Sequence, residues 1–107
     1  MGHELFFFDI PVQSGHVECG DRPSIVVNHS NNVYTIVPVT TKMKAFGYNY
    51  VHVIEPDAIN KLRAESVALV FHIMAIDSAW RRRKIGDLSD KDSGVITALL
   101  KEYLRLK

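Results

Sequence analysis

Apolar residues alternate or cluster in short runs along most of this chain and change to three- and four-residue spacing only near its end. Glu4–Ile10 is dense in aromatic and aliphatic side chains and stops at Pro11, which cannot donate to a ladder, so it predicts a first strand. Gln13 to Asp21 is a polar stretch with two glycines and predicts a loop. Pro23 then fixes the entry to a strand over Ser24–Asn28, centred on Ile25-Val26-Val27. Asn31-Asn32 separates this run from Val33–Thr40, and asparagine tolerates positive φ, so the two runs predict a hairpin. Pro38 inside the second run predicts an edge position or a bulge, because a central strand would lose a hydrogen bond there.

Further along, Tyr48–Ile54 reads as another strand that ends at Glu55-Pro56-Asp57, and Asp57–Leu62 as a helical turn. Ser66–Ile76 predicts one long buried strand, with Val67, Leu69 and Phe71 on one face and Ala68, Val70 and His72 on the other. Ser89 followed by Asp90 and Asp92 is an N-cap with acids in the first turn. Behind it, Val95, Ile96, Leu99, Leu100 and Tyr103 form a stripe that predicts a helix docked on the sheet, with Lys101, Glu102 and Arg105 away from it. The pattern gives no repeat and no linker. It predicts one domain over residues 1–107, mainly β (α+β), closed by a C-terminal helix.

Composition narrows the function classes. With 107 residues there is room for one core and none for a separate cofactor domain. An apolar content of 47% with 23% charged residues is that of a soluble globular protein, and the Leu5–Phe8 run is too short for an export signal, so a cytoplasmic location without membrane contact is expected. The single cysteine, Cys19, excludes an internal disulfide and a zinc site built on paired cysteines. His16, His29, His52 and His72 lack metal-ligand spacing, so no metal site is expected. The formal net charge of +1 means that any nucleic-acid binding must come from a local patch.

Two places carry candidate chemistry. Arg22, held before Pro23, and the Thr40-Thr41 pair lie at adjoining ends of the predicted hairpin, where a guanidinium and hydroxyls can surround a phosphate. Taken singly, an arginine paired with Asp21 or Asp9 and threonines placed by β propensity are the plainer readings. Arg81-Arg82-Arg83-Lys84 beside Trp80 is the dense basic run, either a solvated loop or a platform for single-stranded nucleic acid.

In order along the chain, Arg22-Pro23-x-x-Val26-Val27, Val37-Pro38-Val39-Thr40-Thr41, Ser66-Val67-x-Leu69, Ile76-Asp77, and Lys84-Ile85-Gly86-Asp87-Leu88-Ser89 before the last helix resemble the PemK/MazF family of toxin endoribonucleases from type II toxin–antitoxin systems. The resemblance implies a small SH3-like antiparallel barrel with short helices, a homodimer, cofactor-free cleavage of single-stranded RNA, and a cognate antitoxin protein. It matches Arg22 to the family's catalytic arginine and Thr40 to its catalytic threonine; Thr41 and Lys42 beside that site, and Arg81, Arg82 and Arg83 of the basic run, are the expected RNA contacts.

The sequence departs from the family pattern in the loop before Arg22. Relatives often read Gly-Ser-Glu-Gln-x-Gly, whereas this chain reads Gly15-His16-Val17-Glu18-Cys19-Gly20, which leaves the general base open between His16 and Glu18. A second departure, Phe71-His72-Ile73-Met74, implies a different base preference. Two rivals stand beside the ribonuclease. One is a member that has lost catalysis and only binds RNA or antitoxin. The other is a toxin similar to the CcdB gyrase poisons, which act through a Trp-Gly-Ile end where this chain reads Leu104-Arg105-Leu106-Lys107.

Overall fold

The computed structural model describes residues 3–10 and 20–106. Among them, seven strands form one curled antiparallel sheet, β1 (Glu4–Ile10), β2 (Gly20–Ser30), β3 (Val33–Thr40), β4 (Val51–Ile54), β5 (Ser66–Leu69), β6 (Met74–Asp77) and β7 (Arg81–Asp87). They lie in the order β4-β5-β3-β2-β1-β7, with β6 also paired to β3. The chain closes with helix α1 (Asp90–Tyr103). This is the mainly β architecture with a terminal helix that the sequence predicts, its sheet curled into a half-barrel where the resemblance implies a small SH3-like barrel, and β1 and β3 have the predicted bounds.

The hairpin turns where expected, with Asn31 and Asn32 at φ 55° and 62°, the left-handed pair that matches strand twist. Pro38 does not mark an edge. β3 is an interior strand, and its flank away from β2 is shared between β6, which pairs with Val33–Ile36, and β5, which pairs with Val39 and Thr40. Pro38 stands in the break between those partners, so the flank forms no ladder pair at the proline.

The same break divides the long strand expected over Ser66–Ile76. β5 and β6 both run along β3, but between the Val39–Ala68 and Ile36–Met74 pairs the register slips, and a 3₁₀ turn at Val70–His72 takes up the extra chain. β4 also starts later than predicted, at Val51, because Tyr50 is at φ 58° and cannot extend the strand. The predicted helical turn at Asp57–Leu62 is a single turn, closed by Lys61 N–H to Asp57 C=O (3.0 Å) and ended by Lys61 itself at φ 56°.

The main core lies between one sheet face and α1, built on Leu5, Ile25, Val37, Val39, Ile96 and Leu100. Alternate strand positions, including Phe8, Tyr34, Ile36 and Ile76, form a second cluster on the other face. α1 starts as predicted. Ser89 Oγ accepts from Asp92 N–H (3.1 Å) and donates to the Asp92 carboxylate (3.2 Å), and the other Asp92 oxygen meets His52 Nε2 of β4 at 2.8 Å. Ser89→Ala removes an N-cap and is expected to lower stability by about 1 kcal/mol, measured by urea denaturation. Tyr103, at the end of the apolar stripe, is partly exposed and packs edge-on against Tyr50. No described helix is long and apolar enough to cross a membrane.

Candidate functional site

Arg22 lies near the start of β2, paired with Phe8 of β1. On its other side the β2–β3 ladder ends at the Ser24–Pro38 pair, and the same register carried two residues further sets Arg22 opposite Thr40, the last residue of β3. Directly paired residues point to the same face of a sheet, so Phe8, Arg22 and Thr40 form one cross-strand row. Two local features hold the row. Pro23 confines Arg22 to extended backbone, and the buried Ser24 hydroxyl lies 3.4 Å from the Arg22 carbonyl. Thr40 is buried, and its Oγ1 accepts from the Lys42 N–H at 3.2 Å, which leaves the hydroxyl hydrogen as the group to donate to a bound oxygen.

The basic run enters this row through a bulge. β7 slips register against β1 between Phe6 and Phe8, so Arg81 pairs with Phe8 and Lys84 with Phe6, with two residues between them on β7 against one on β1. Arg81 therefore joins the row that carries Phe8, Arg22 and Thr40. Its guanidinium donates to Tyr34 Oη (2.9 Å) and lies 5.2 Å from the centre of the Phe6 ring, while exposed His29 stacks on Tyr34 with ring centres 3.9 Å apart. Arg82 is drawn to Asp9 (3.4 Å) and to the Ala79 carbonyl (3.0 Å). Arg83 lies over Phe7, 4.6 Å from the ring centre, and Phe7 faces away from Phe6 and Phe8. Lys84 is held by Glu4 and Asp87 at 2.9 and 3.2 Å, and these hydrogen bonds raise its pKa.

The three arginines of the basic run are thus separated, with Arg81 paired to Phe8 and its guanidinium at Tyr34 and Phe6, Arg82 at an ion pair, and Arg83 on the opposite face. Thr41 also lies apart from Thr40, in a cavity that Pro23, Lys61 and Arg63 help to line. Lys42 is exposed and precedes the 3₁₀ turn at Met43–Gly47. His16 and Glu18 lie outside the described residues. Pattern alone does not single out Tyr34 or His29, because their link to Arg81 depends on the bulge in β7. Among the described residues no group of three or more His, Cys, Asp or Glu side chains is placed to hold a metal ion.

A family model described as PemK-like, MazF-like toxin of type II toxin–antitoxin system matches residues 3–104. The chain belongs to the PemK/MazF family. Its fold is similar to that of MazF (Form-I) from Deinococcus radiodurans, with a TM-score of 0.78 and 22% identity over 95% of this chain and 93% of that one. It is also similar to the MazE–MazF structure (Form-II) from the same organism, at 0.72 and 21% over 97% and 94%. A third similar structure is the Mycobacterium tuberculosis toxin MazF-mt6, at 0.72 and 17% over 100% and 99%. No curated protein sequence matches the chain. As a PemK/MazF member with this row on its sheet, the chain offers two guanidinium groups and one hydroxyl donor along one strip, a set suited to a phosphodiester.

Proposed function

We propose that this toxin is an endoribonuclease that cleaves single-stranded RNA, with the phosphodiester bound on the row of Arg81, Arg22 and Thr40. The observation that supports this reading is the register of β2 with its neighbours, in which the ladder that ends at Ser24–Pro38 points Arg22 toward Thr40 and Phe8 stands between Arg22 and Arg81. In the reaction the 2′-oxygen attacks the adjacent phosphorus, the bond to the 5′-oxygen breaks, that oxygen takes a proton from solvent water, and the products are a cyclic phosphate and a 5′-hydroxyl end. Negative charge grows on the non-bridging oxygens as the fifth bond forms. Arg22 meets it with two parallel charge-assisted N–H donors, and Thr40 adds an O–H donor whose oxygen is fixed by the Lys42 amide. The proton of the 2′-hydroxyl goes to His16 or Glu18 in the preceding loop, since Arg22 stays protonated throughout.

The toxin works as a cytoplasmic homodimer restrained by a cognate antitoxin, a reading supported by family membership and by the MazE–MazF structure among its structural neighbours. The test is to incubate purified protein with a long single-stranded RNA in EDTA and map the new ends. Discrete cuts whose 5′ ends accept phosphate from polynucleotide kinase without prior phosphatase treatment are expected. Intact RNA in the presence of a folded dimer would replace this reading with that of a toxin that binds without cutting.

A further inference from the structure

On the other face of the sheet, at the same strand ends, lies a cavity of about 480 Å³. Its position follows from alternation, since Pro23 and Thr41 succeed Arg22 and Thr40 in sequence and point the opposite way. Its volume falls within the range of small-molecule sites. Phe7, Pro23 and Leu62 supply apolar wall, and Lys61, Arg63 and Arg83 supply three cations. Among the described residues no carboxylate lines it. Glu65, the acid nearest in sequence to that wall, is hydrogen-bonded to Glu55, which raises its pKa.

The cations stand on a prepared frame. Asn60 is fully buried, with its amide donating to Glu55 C=O (2.9 Å) and its carbonyl accepting from the Asp57 and Leu62 N–H groups (3.1 and 2.9 Å). Asp57 Oδ1 accepts from the Ile59 and Asn60 N–H groups at 2.8 and 2.7 Å. The loop is joined to β7 by Asp87 N–H to Ile59 C=O at 3.0 Å. Arg83, also on β7, is held in place by its contact with Phe7. Like charges carried on a backbone fixed in this way suit an anion.

We propose that this cleft binds a second nucleotide of the RNA strand, outside the cleaved bond, with its phosphate among Lys61, Arg63 and Arg83 and its base against Phe7 and Leu62. This rests on the ribonuclease reading and extends it, since the strand would pass around the ends of β2 and β3 from one face to the other. An RNA is favoured because the cleft joins cations to an aromatic wall, a combination suited to phosphate and base together.

The test measures binding of a single-stranded 2′-O-methyl RNA, which lacks the attacking hydroxyl, by fluorescence anisotropy across a salt series. The Lys61→Gln/Arg63→Gln/Arg83→Gln triple variant is compared with wild type and with Lys61→Gln alone, all at exposed positions that the core does not need. The triple variant is expected to bind at least about tenfold more weakly and to lower the slope of log K against log salt by about 0.7, the contribution of one neutralised phosphate on a single strand. Wild-type binding with an unchanged slope in the triple variant overturns the cleft proposal alone and turns the three cations toward an acidic segment of a protein partner. If the wild type itself fails to bind, the ribonuclease reading falls and the cleft proposal with it.

Discussion

Arg22→Ala is expected to lower the rate of RNA cleavage by about 10²–10³-fold, the usual loss when one donor to a developing oxyanion is removed. The position of Arg22 determines which kinetic constant falls. Its backbone is held by pairing to Phe8, by Pro23 and by the Ser24 hydroxyl, all of which Arg22→Ala leaves in place. The charge that the guanidinium meets is largest when phosphorus has five bonds, so the loss should appear mainly in kcat and little in KM. Arg22→Lys keeps one positive charge but not the planar pair of donors, and it should recover only part of the rate. Single-turnover cleavage of a defined RNA, with circular dichroism to confirm folding, measures this. A rate within about threefold of wild type for a folded Arg22→Ala protein would remove Arg22 from the reaction, because donor losses in this role are far larger. The cleft cations give the opposite signature, since they hold the strand away from the reacting phosphorus and their loss appears in binding.

Local chemistry made part of this arrangement legible in the sequence. The aromatic and aliphatic run ending at Pro11 predicted β1, and Asn31-Asn32 predicted the hairpin. Ser89 with Asp90 and Asp92 marked the start of α1. The rest is decided by contacts between distant segments. Pro38 predicted an edge or a bulge, and nothing local reveals that the irregularity is a break where β5 and β6 divide one flank of β3. Four consecutive basic residues looked like one patch because a bulge is a relation between two strands. Only the slip of β7 against β1 sends Arg81 toward Arg22 and Arg83 toward Phe7. Lys61 and Arg63 are isolated cations in the sequence. They gain meaning when the loop before β5 is seated against β7.

That seating depends on Gly86, and Gly86→Ala is expected to be severely destabilising. A Cβ at this position would stand 2.6 Å from the Ile59 carbonyl oxygen, 2.7 Å from that of Asn60 and 2.9 Å from the Asn60 carbonyl carbon. All three are backbone atoms, so no side chain can swing aside to admit the methyl group. Either β7 must leave its place beside β1, where Gly86 pairs with Leu5 of the main core, or the loop must move out. Moving the loop breaks the Asp87–Ile59 hydrogen bond and exposes the buried Asn60, whose three hydrogen bonds organise the turn. Overpacking against an unyielding wall costs about 1–3 kcal/mol, and each buried polar group left unsatisfied about 1–3 kcal/mol more. A combined loss of about 3–5 kcal/mol is a large part of the total stability of a small domain. At about 4–8 °C per kcal/mol, Tm should fall by roughly 15–30 °C, which differential scanning calorimetry would show directly. A shift of less than about 3 °C would mean that the loop moves off β7 at little cost, because so small a shift corresponds to well under 1 kcal/mol. In that case the frame beneath Lys61 and Arg63 would not be rigid, and the cleft would have to be ordered by the RNA it binds.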